Sequence, residues 1–242
     1  MSATAAGVLS GKTVVVTGAS RGIGRAVAAS FAQAGAWVAM VARGEDELRR
    51  AAAEVGGHAI PADVASADAV NQLTTYLVEL LGDAPDILVN SAGAFSLAPL
   101  AETEPAEFER LQEINLRAPF LMIRAFLPYM LERRSGHIIS IGSVAGRRAF
   151  PGNGAYSASK FGLRGLHEVL AEEVRGSGVR ATLLEPAATD TPLWDAINPD
   201  SRGDLPSRAE MLRPEDVARG ALFAASQPAG VEVSTLALRA NS

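Results

Sequence analysis

The stretch "TGASRGIGRAVA" (Thr17–Ala28) decides how the rest of the chain is read. It follows the β-branched run Val14–Val16 and passes into residues of helical period. Gly18, Gly22 and Gly24 let the backbone turn tightly and approach a ligand without Cβ obstruction. The helix N-terminus behind them offers unpaired N–H groups and a positive dipole end, which suit a pyrophosphate. The spacing is G-x-x-x-G-x-G rather than G-x-G-x-x-G, and such a turn can be purely structural. Its place at the first strand–helix junction points instead to dinucleotide binding.

Working outward, short apolar runs alternate with helical patterns. The expected strands are "KTVVVTG", "AWVAMVA", "HAIPADV", "DILVNSAG", "HIISIGS", "VRATLLEP" and "VEVSTLALR". Between them lie "RAVAASFAQAG", "EDELRRAAAEV", "ADAVNQLTTYLVELLG" and "KFGLRGLHEVLAEEVRG", with further long helices after Glu104. Several strands are apolar on both faces, as buried parallel strands are. The expected fold class is therefore α/β: a single Rossmann-type domain over 1–242, a doubly wound parallel sheet of about seven strands with helices on both faces.

The irregular segment "TDTPLWDAINPDSRGDLPSRAEMLRPED" (Thr189–Asp216) is rich in Pro, Asp and Ser. It follows the sixth strand and exceeds a normal connection, so 189–213 is expected to be a substrate-binding loop or lid. Within it, Leu193 and Trp194 suit either closure over a substrate or packing on a helix.

At 242 residues and 48% hydrophobic content the chain can bury a large core. No run approaches the ~18 apolar residues of a membrane span, and the first residues lack the pattern of a signal peptide. There is no cysteine, and three histidines, His58, His137 and His167, are scattered without ligand spacing. No metal site is expected, and the histidines read as strand-edge or helix-surface residues. The net charge of −5 leaves no electrostatic footprint for nucleic acid. Arg147 and Arg148 read as solvated loop residues. The expected location is cytoplasmic.

The end of the second strand bears on which dinucleotide is bound. An acid there would hold the ribose 2′-OH of NAD, and an arginine would accommodate the 2′-phosphate of NADP. The tip is Ala42–Arg43, and Arg21 in the glycine turn reaches the same region. Glu45 and Asp46 follow as first-turn helix acids. The expectation is NADP (NADPH), with a solvated Arg43 as the alternative.

The segment "NGAYSASKFGL" (Asn153–Leu163) places Tyr156 and Lys160 one helical turn apart. Alone, the pair also fits an ordinary exposed helix. Taken together, "TGASRGIG" (17–24), "DV" (63–64), "NSAG" (90–93), "IN" (114–115), Ser143 and "YSASK" (156–160) resemble the short-chain dehydrogenase/reductase family over essentially the whole chain.

The resemblance implies an NADP-dependent oxidoreductase acting on a carbonyl or secondary alcohol. It implies Ser143 orienting the carbonyl, Tyr156 exchanging the proton, Lys160 bonding the nicotinamide ribose, and Asn115 interrupting its helix and holding a water leading towards Lys160. Cofactor contacts would come from Gly18, Ser20, Arg21, Gly22, Ile23 and Gly24, and from Arg43, Asp63 and Val64. Asn90, Ala92, Gly93, Tyr156, Lys160, Pro186, Thr189 and Thr191 complete the implied set. Ala187 stands where glycine is common and is expected to narrow the nicotinamide pocket if that backbone needs an unusual φ; Ser91 replaces a frequent asparagine. A homodimer or homotetramer is implied.

The chemistry is consistent with these roles. Hydride transfer develops negative charge on a carbonyl oxygen, so proton delivery and oxyanion stabilisation are needed together. A nearby ammonium is expected to lower the phenol's pKa from about 10. An NAD-dependent dehydrogenase and a catalytically idle NADP-binding protein remain the alternatives.

Overall fold

The computed structural model describes residues 7–241. Seven strands form one all-parallel sheet: β1 (Thr13–Thr17), β2 (Trp37–Ala42), β3 (His58–Pro61), β4 (Ile87–Asn90), β5 (Gly136–Ile141), β6 (Val179–Pro186) and β7 (Thr235–Leu238). Their order is β3-β2-β1-β4-β5-β6-β7, so the winding reverses between β1 and β4. That reversal opens a crevice at the carboxyl edge, where open α/β sheets take ligands.

Alternation along the strands supplies both faces. Val14 and Val16 enter one apolar layer with α1 (Gly22–Gln33), α2 (Glu45–Val55) and α7 (Pro214–Ala225). Val15 enters the other, against α3 (Ala67–Leu81), α5 (Ala118–Glu132) and α6 (Gly154–Glu173). β3 and β7 are edge strands and shorter than their sequence patterns. Pro61, which has no N–H for a ladder, ends β3 where an edge tolerates it.

The long helix expected after Glu104 is in three pieces. α4 (Pro105–Gln112) runs into a π-turn (Glu113–Arg117) and then α5. Pro119 has no N–H to give the carbonyl four residues back, which is that of Asn115. The Asn115 side chain, fully buried, accepts from Ala94 N at 2.8 Å and donates to Ala94 O at 2.9 Å and Ser159 Oγ at 3.0 Å. One residue thus stitches the loop after β4, the broken helix and α6.

The irregular segment carries three short 3-10 turns, and its last residues already belong to α7, opened by Pro214 at its first position. Arg208 clamps the segment by pairing with Asp190 and with Asp195, the latter at 2.7 Å. A bridge between Thr189 and Leu212 closes its base.

Two histidine expectations fail. His58 does lie on edge strand β3, but His137 and His167 are buried at 2% and 3% exposure. β5 is flanked by β4 and β6, so His137 has no edge to reach, and α6 turns His167 inward.

Candidate active site

A cleft of about 350 Å³ opens at the carboxyl edge between β1, β2 and β4. It is lined by Gly18, Ser20, Arg21, Gly22, Ile23 and Gly24, by Arg43 after β2, by Asp63 and Val64 after β3, by Ala92 and Gly93 after β4, and by Thr191. The sheet order thus brings together segments separated by up to 170 residues.

The glycine turn fits a close ligand. Gly18 and Gly22 are left-handed, with φ of +65° and +54°. A Cβ on Gly18 would lie 2.7 Å from Ala92 Cα, so only glycine lets the first and fourth loops touch. Thr17 Oγ1 locks that approach by accepting from the amides of Ser91 and Ala92, both at 3.1 Å. α1 begins at Gly22 with no capping side chain, since Arg21 makes no cap hydrogen bond. Its first residues, Gly22 to Gly24, line the cleft, and the unpaired N–H groups of a helix start suit an anion. These features fit the pyrophosphate of a dinucleotide.

Other expected contacts lie under or beside the cleft. Asn90, at the end of β4, is buried with neither amide atom hydrogen-bonded. Asp63 uses one oxygen to accept from Ala65 N at 3.0 Å. Pro186 ends β6, and Thr189 and Thr191 are buried beyond it. Ala187 is not among the described residues of positive φ, so alanine fits there without backbone strain. The expected narrowing has no basis in φ.

The residues expected to carry chemistry converge beside this cleft. Ser143 leaves β5 in extended conformation and caps a 3-10 turn, Val144–Gly146, by accepting from Ala145 N at 3.1 Å. That turn packs on α6 so closely that a Cβ on Gly146 would lie 2.7 Å from Lys160 O. Tyr156 and Lys160 stand one turn apart on α6. Lys160 is buried and donates from Nζ to Ile141 O at 2.9 Å. Burial lowers its pKa to about 8.

The tyrosine differs from expectation. Burial raises its pKa above the ordinary phenol value, and only the Ser143 hydroxyl pulls it down. The Lys160 ammonium lies 5.8 Å from the ring centroid and is turned to the Ile141 carbonyl, and burial sets the direction of the phenol's shift. The protein alone therefore keeps Tyr156 protonated and ready to donate.

Several participants escaped sequence reasoning. Glu47 lines the cleft and accepts from Ser20 Oγ at 3.0 Å. Phe95 lines the cleft and meets the Tyr156 ring edge-on, centroids 4.8 Å apart. Trp194, one of the two lid residues marked in the sequence, packs on Phe95, also at 4.8 Å. Glu185, 1% exposed on β6, pairs with Arg164 at 2.8 Å and Arg147 at 3.5 Å. Arg147 is thus an ion-pair partner rather than a merely solvated residue. Only proximity in space identifies Glu47, Phe95 and Glu185, and only it gives Trp194 its partner.

Comparison with known proteins agrees with this fold. The family model described as short chain dehydrogenase matches residues 12–202. A short chain dehydrogenase of Pseudocercospora fijiensis is 43% identical over 207 residues, 81% of this chain and 66% of that protein. A metagenomic short-chain oxidoreductase solved in complex with NADP superposes with a TM-score of 0.83 at 34% identity, covering 97% of this chain and 99% of that one. An alcohol dehydrogenase from Thermococcus sibiricus, complexed with 5-hydroxy-NADP, gives 0.85 at 29% identity, with 95% and 97% covered. Among the described residues no helix is long and apolar enough to cross a membrane, and no cluster of ligating side chains could hold a metal ion. With a family model over residues 12–202 and solved relatives that share the whole fold, the chain belongs to the short-chain dehydrogenase/reductase family of oxidoreductases.

Proposed function

We propose that this protein is an NADP(H)-dependent carbonyl reductase or alcohol dehydrogenase, with Tyr156 as its acid and base. The observation that carries this reading is the convergence of Ser143, Tyr156 and Lys160 beside a cleft that Arg21 and Arg43 both line. Bound there, a nicotinamide dinucleotide supplies the hydride for reduction and accepts it for oxidation. The remaining work falls to the chain. Ser143 donates to the carbonyl oxygen, and Tyr156, held neutral by burial, delivers the proton to it as charge develops. Lys160, fixed to the Ile141 carbonyl, directs its remaining N–H groups to the nicotinamide ribose. Asn115 acts through its main-chain carbonyl: its side chain is committed to Ala94 and Ser159, and Pro119 leaves that carbonyl without the usual amide. A water held there leads towards Lys160.

The pyrophosphate rests on Gly18, Ser20, Gly22, Ile23 and Gly24. The adenine side meets Asp63 and Val64, and the adenosine ribose meets Ala92 and Gly93 with Asn90 beneath. Pro186, Thr189 and Thr191 border the nicotinamide amide. The relatives solved with NADP or an NADP analogue support the choice of cofactor. So do the two guanidinium groups, through charge-assisted hydrogen bonds to a 2′-phosphate. Glu47 opposes it as a like charge in the same cleft.

NADPH accordingly binds more tightly than NADH, Arg43→Asp reverses the order, and Glu47→Gln widens the preference for NADPH. Equilibrium titration of each protein with both cofactors checks this. Equal affinities in the wild type would remove the NADP assignment and leave the NAD-dependent dehydrogenase.

Residues 189–213 act as the lid. In the free protein the segment is anchored at its two ends by the buried residues Thr189, Thr191, Met211 and Leu212 and tied across by the Arg208 clamp and the Thr189–Leu212 bridge, while the stretch between carries mostly exposed residues. Hydrogen exchange should be fast there without ligand and slow once NADP and a substrate are bound. Strong protection in the free protein would make it a fixed wall. The exposed apolar residues Phe120 and Tyr129 on α5, with Phe161 and Val169 on α6, support assembly into a homodimer or homotetramer. A chain without cysteine suits the cytoplasm.

A further inference from the structure

We infer that Phe95 and Trp194 form an aromatic slot beside Tyr156, and that the substrates are ketones or secondary alcohols carrying an aryl or similarly flat apolar group on the reacting carbon. The inference rests on the carbonyl/alcohol reading above and deepens it. If Ser143 and Tyr156 both meet the reacting oxygen, the carbonyl carbon lies roughly 1.2 Å beyond that oxygen. Its substituents then begin within a few ångströms of the phenol. On the cleft side the phenol's neighbour is Phe95, edge-on at 76° with ring centroids 4.8 Å apart. Trp194 reaches the same ring from the lid at 4.8 Å and 60°.

Neither contact is a parallel stack. The three ring planes stand at angles to one another, and all three rings remain partly exposed. A fourth flat ring inserted beside them keeps the angled, edge-to-face geometry that aromatic groups prefer. Trp194 is on the lid, so a ring held against it also holds the segment closed.

The charges point the same way. Arg110, the cation that lines the cleft beyond Phe95, is occupied by Glu107 through two hydrogen bonds of 2.7 Å. Arg148, on the loop after Ser143, lies over the Phe150 ring at 5.3 Å. A carboxylate or phosphate on the substrate would meet an Arg110 whose charge Glu107 already balances and an Arg148 laid on Phe150. An uncharged ring asks for neither cation.

The test compares three methyl ketones: acetophenone, cyclohexyl methyl ketone and 2-butanone. Each is assayed with NADPH on the wild type, on Trp194→Ala and on Phe95→Leu, a change that keeps an apolar side chain and removes the ring. Wild-type kcat/KM for acetophenone should exceed that for cyclohexyl methyl ketone by roughly five- to ten-fold and that for 2-butanone by more, since aromatic contacts add to burial. Both variants should lose most of that preference, with acetophenone falling several-fold further than 2-butanone. Calorimetric binding of acetophenone and 2-butanone to the NADP-saturated proteins reads the slot without turnover. Loss of acetophenone binding in both variants supports it. Equal losses on all ketones, or a wild type indifferent between phenyl and cyclohexyl, would overturn it. A wild type that binds acetophenone selectively but reduces no ketone would leave the slot standing and sink the reductase reading instead.

Discussion

Tyr156→Phe lowers turnover by about 10²–10⁴-fold while the fold and NADPH binding survive, because the ring stays and only the positioned proton donor goes. The substitution removes a hydroxyl whose one favourable side-chain contact is Ser143, so little else in the site is disturbed. The edge-on contact with Phe95 needs only the ring. Lys160→Met differs in kind. It removes the donor to the Ile141 carbonyl and the proposed ribose contact, and cofactor affinity falls along with turnover. pH adds a second signature. Because burial holds the phenol's pKa above its ordinary value, Tyr156 remains an acid through neutrality. Reduction should be flat with pH through the neutral range, and oxidation, which needs the phenolate, should rise towards alkaline pH. Stopped-flow reduction of a true substrate, with separate cofactor titrations, measures both effects. A Tyr156→Phe protein with near-wild-type turnover would take the proton source elsewhere and remove the centre of the proposal.

Mild acid costs this protein on the order of 4 kcal/mol of stability between pH 7 and pH 5, about 2 kcal/mol from each of two histidines. His137 is pushed down to about 3, by burial first and then by the charges of Arg180 and His167. His167 is pushed down to about 4, again chiefly by burial, with Arg164 adding to the fall and the Ser234 backbone and Glu168 opposing it. His137 Nε2 shares a hydrogen bond of 2.8 Å with Thr182 Oγ1. His167 makes no hydrogen bond of ordinary geometry from either ring nitrogen.

Both are neutral in the folded state, whereas the unfolded chain takes up protons near 6.5. Their stabilising effect is complete above that value and is lost as pH falls through it towards 4 and then 3. Against a typical domain stability of 5–15 kcal/mol the loss is large. His167→Leu has no hydrogen bond to sacrifice and should remove about half of the pH 7 to pH 5 slope. Urea unfolding at pH 7, 6 and 5 measures it. Parallel curves for wild type and variant would show that His167 titrates alike in both states.

The sequence by itself determined what depends on local pattern. Apolar runs such as Val14–Val16 could only be strands buried on both faces, and Gly18, Gly22 and Gly24 could only end such a strand in a tight turn against a helix. Tyr156 and Lys160 were legible as a pair because helical spacing is local. Those features placed the whole chain in its fold and marked most of the cleft.

What depended on distant segments meeting was decided by the tertiary structure. A histidine on β5 reads as any strand residue until β4 and β6 enclose it. Glu47 is one of three acids in a helix's first turn, and only the packing of α2 against the glycine turn brings its carboxylate to Ser20. Phe95 and Trp194 are 99 positions apart, and nothing in either neighbourhood announces the other. The ionisation of Tyr156 was misjudged for the same reason. Spacing along a helix fixes where Lys160 begins, but the Ile141 carbonyl, from a different element, fixes where its ammonium ends. Period and turn chemistry act over a few residues, whereas burial and charge act over a few ångströms, and the chain's winding converts one into the other.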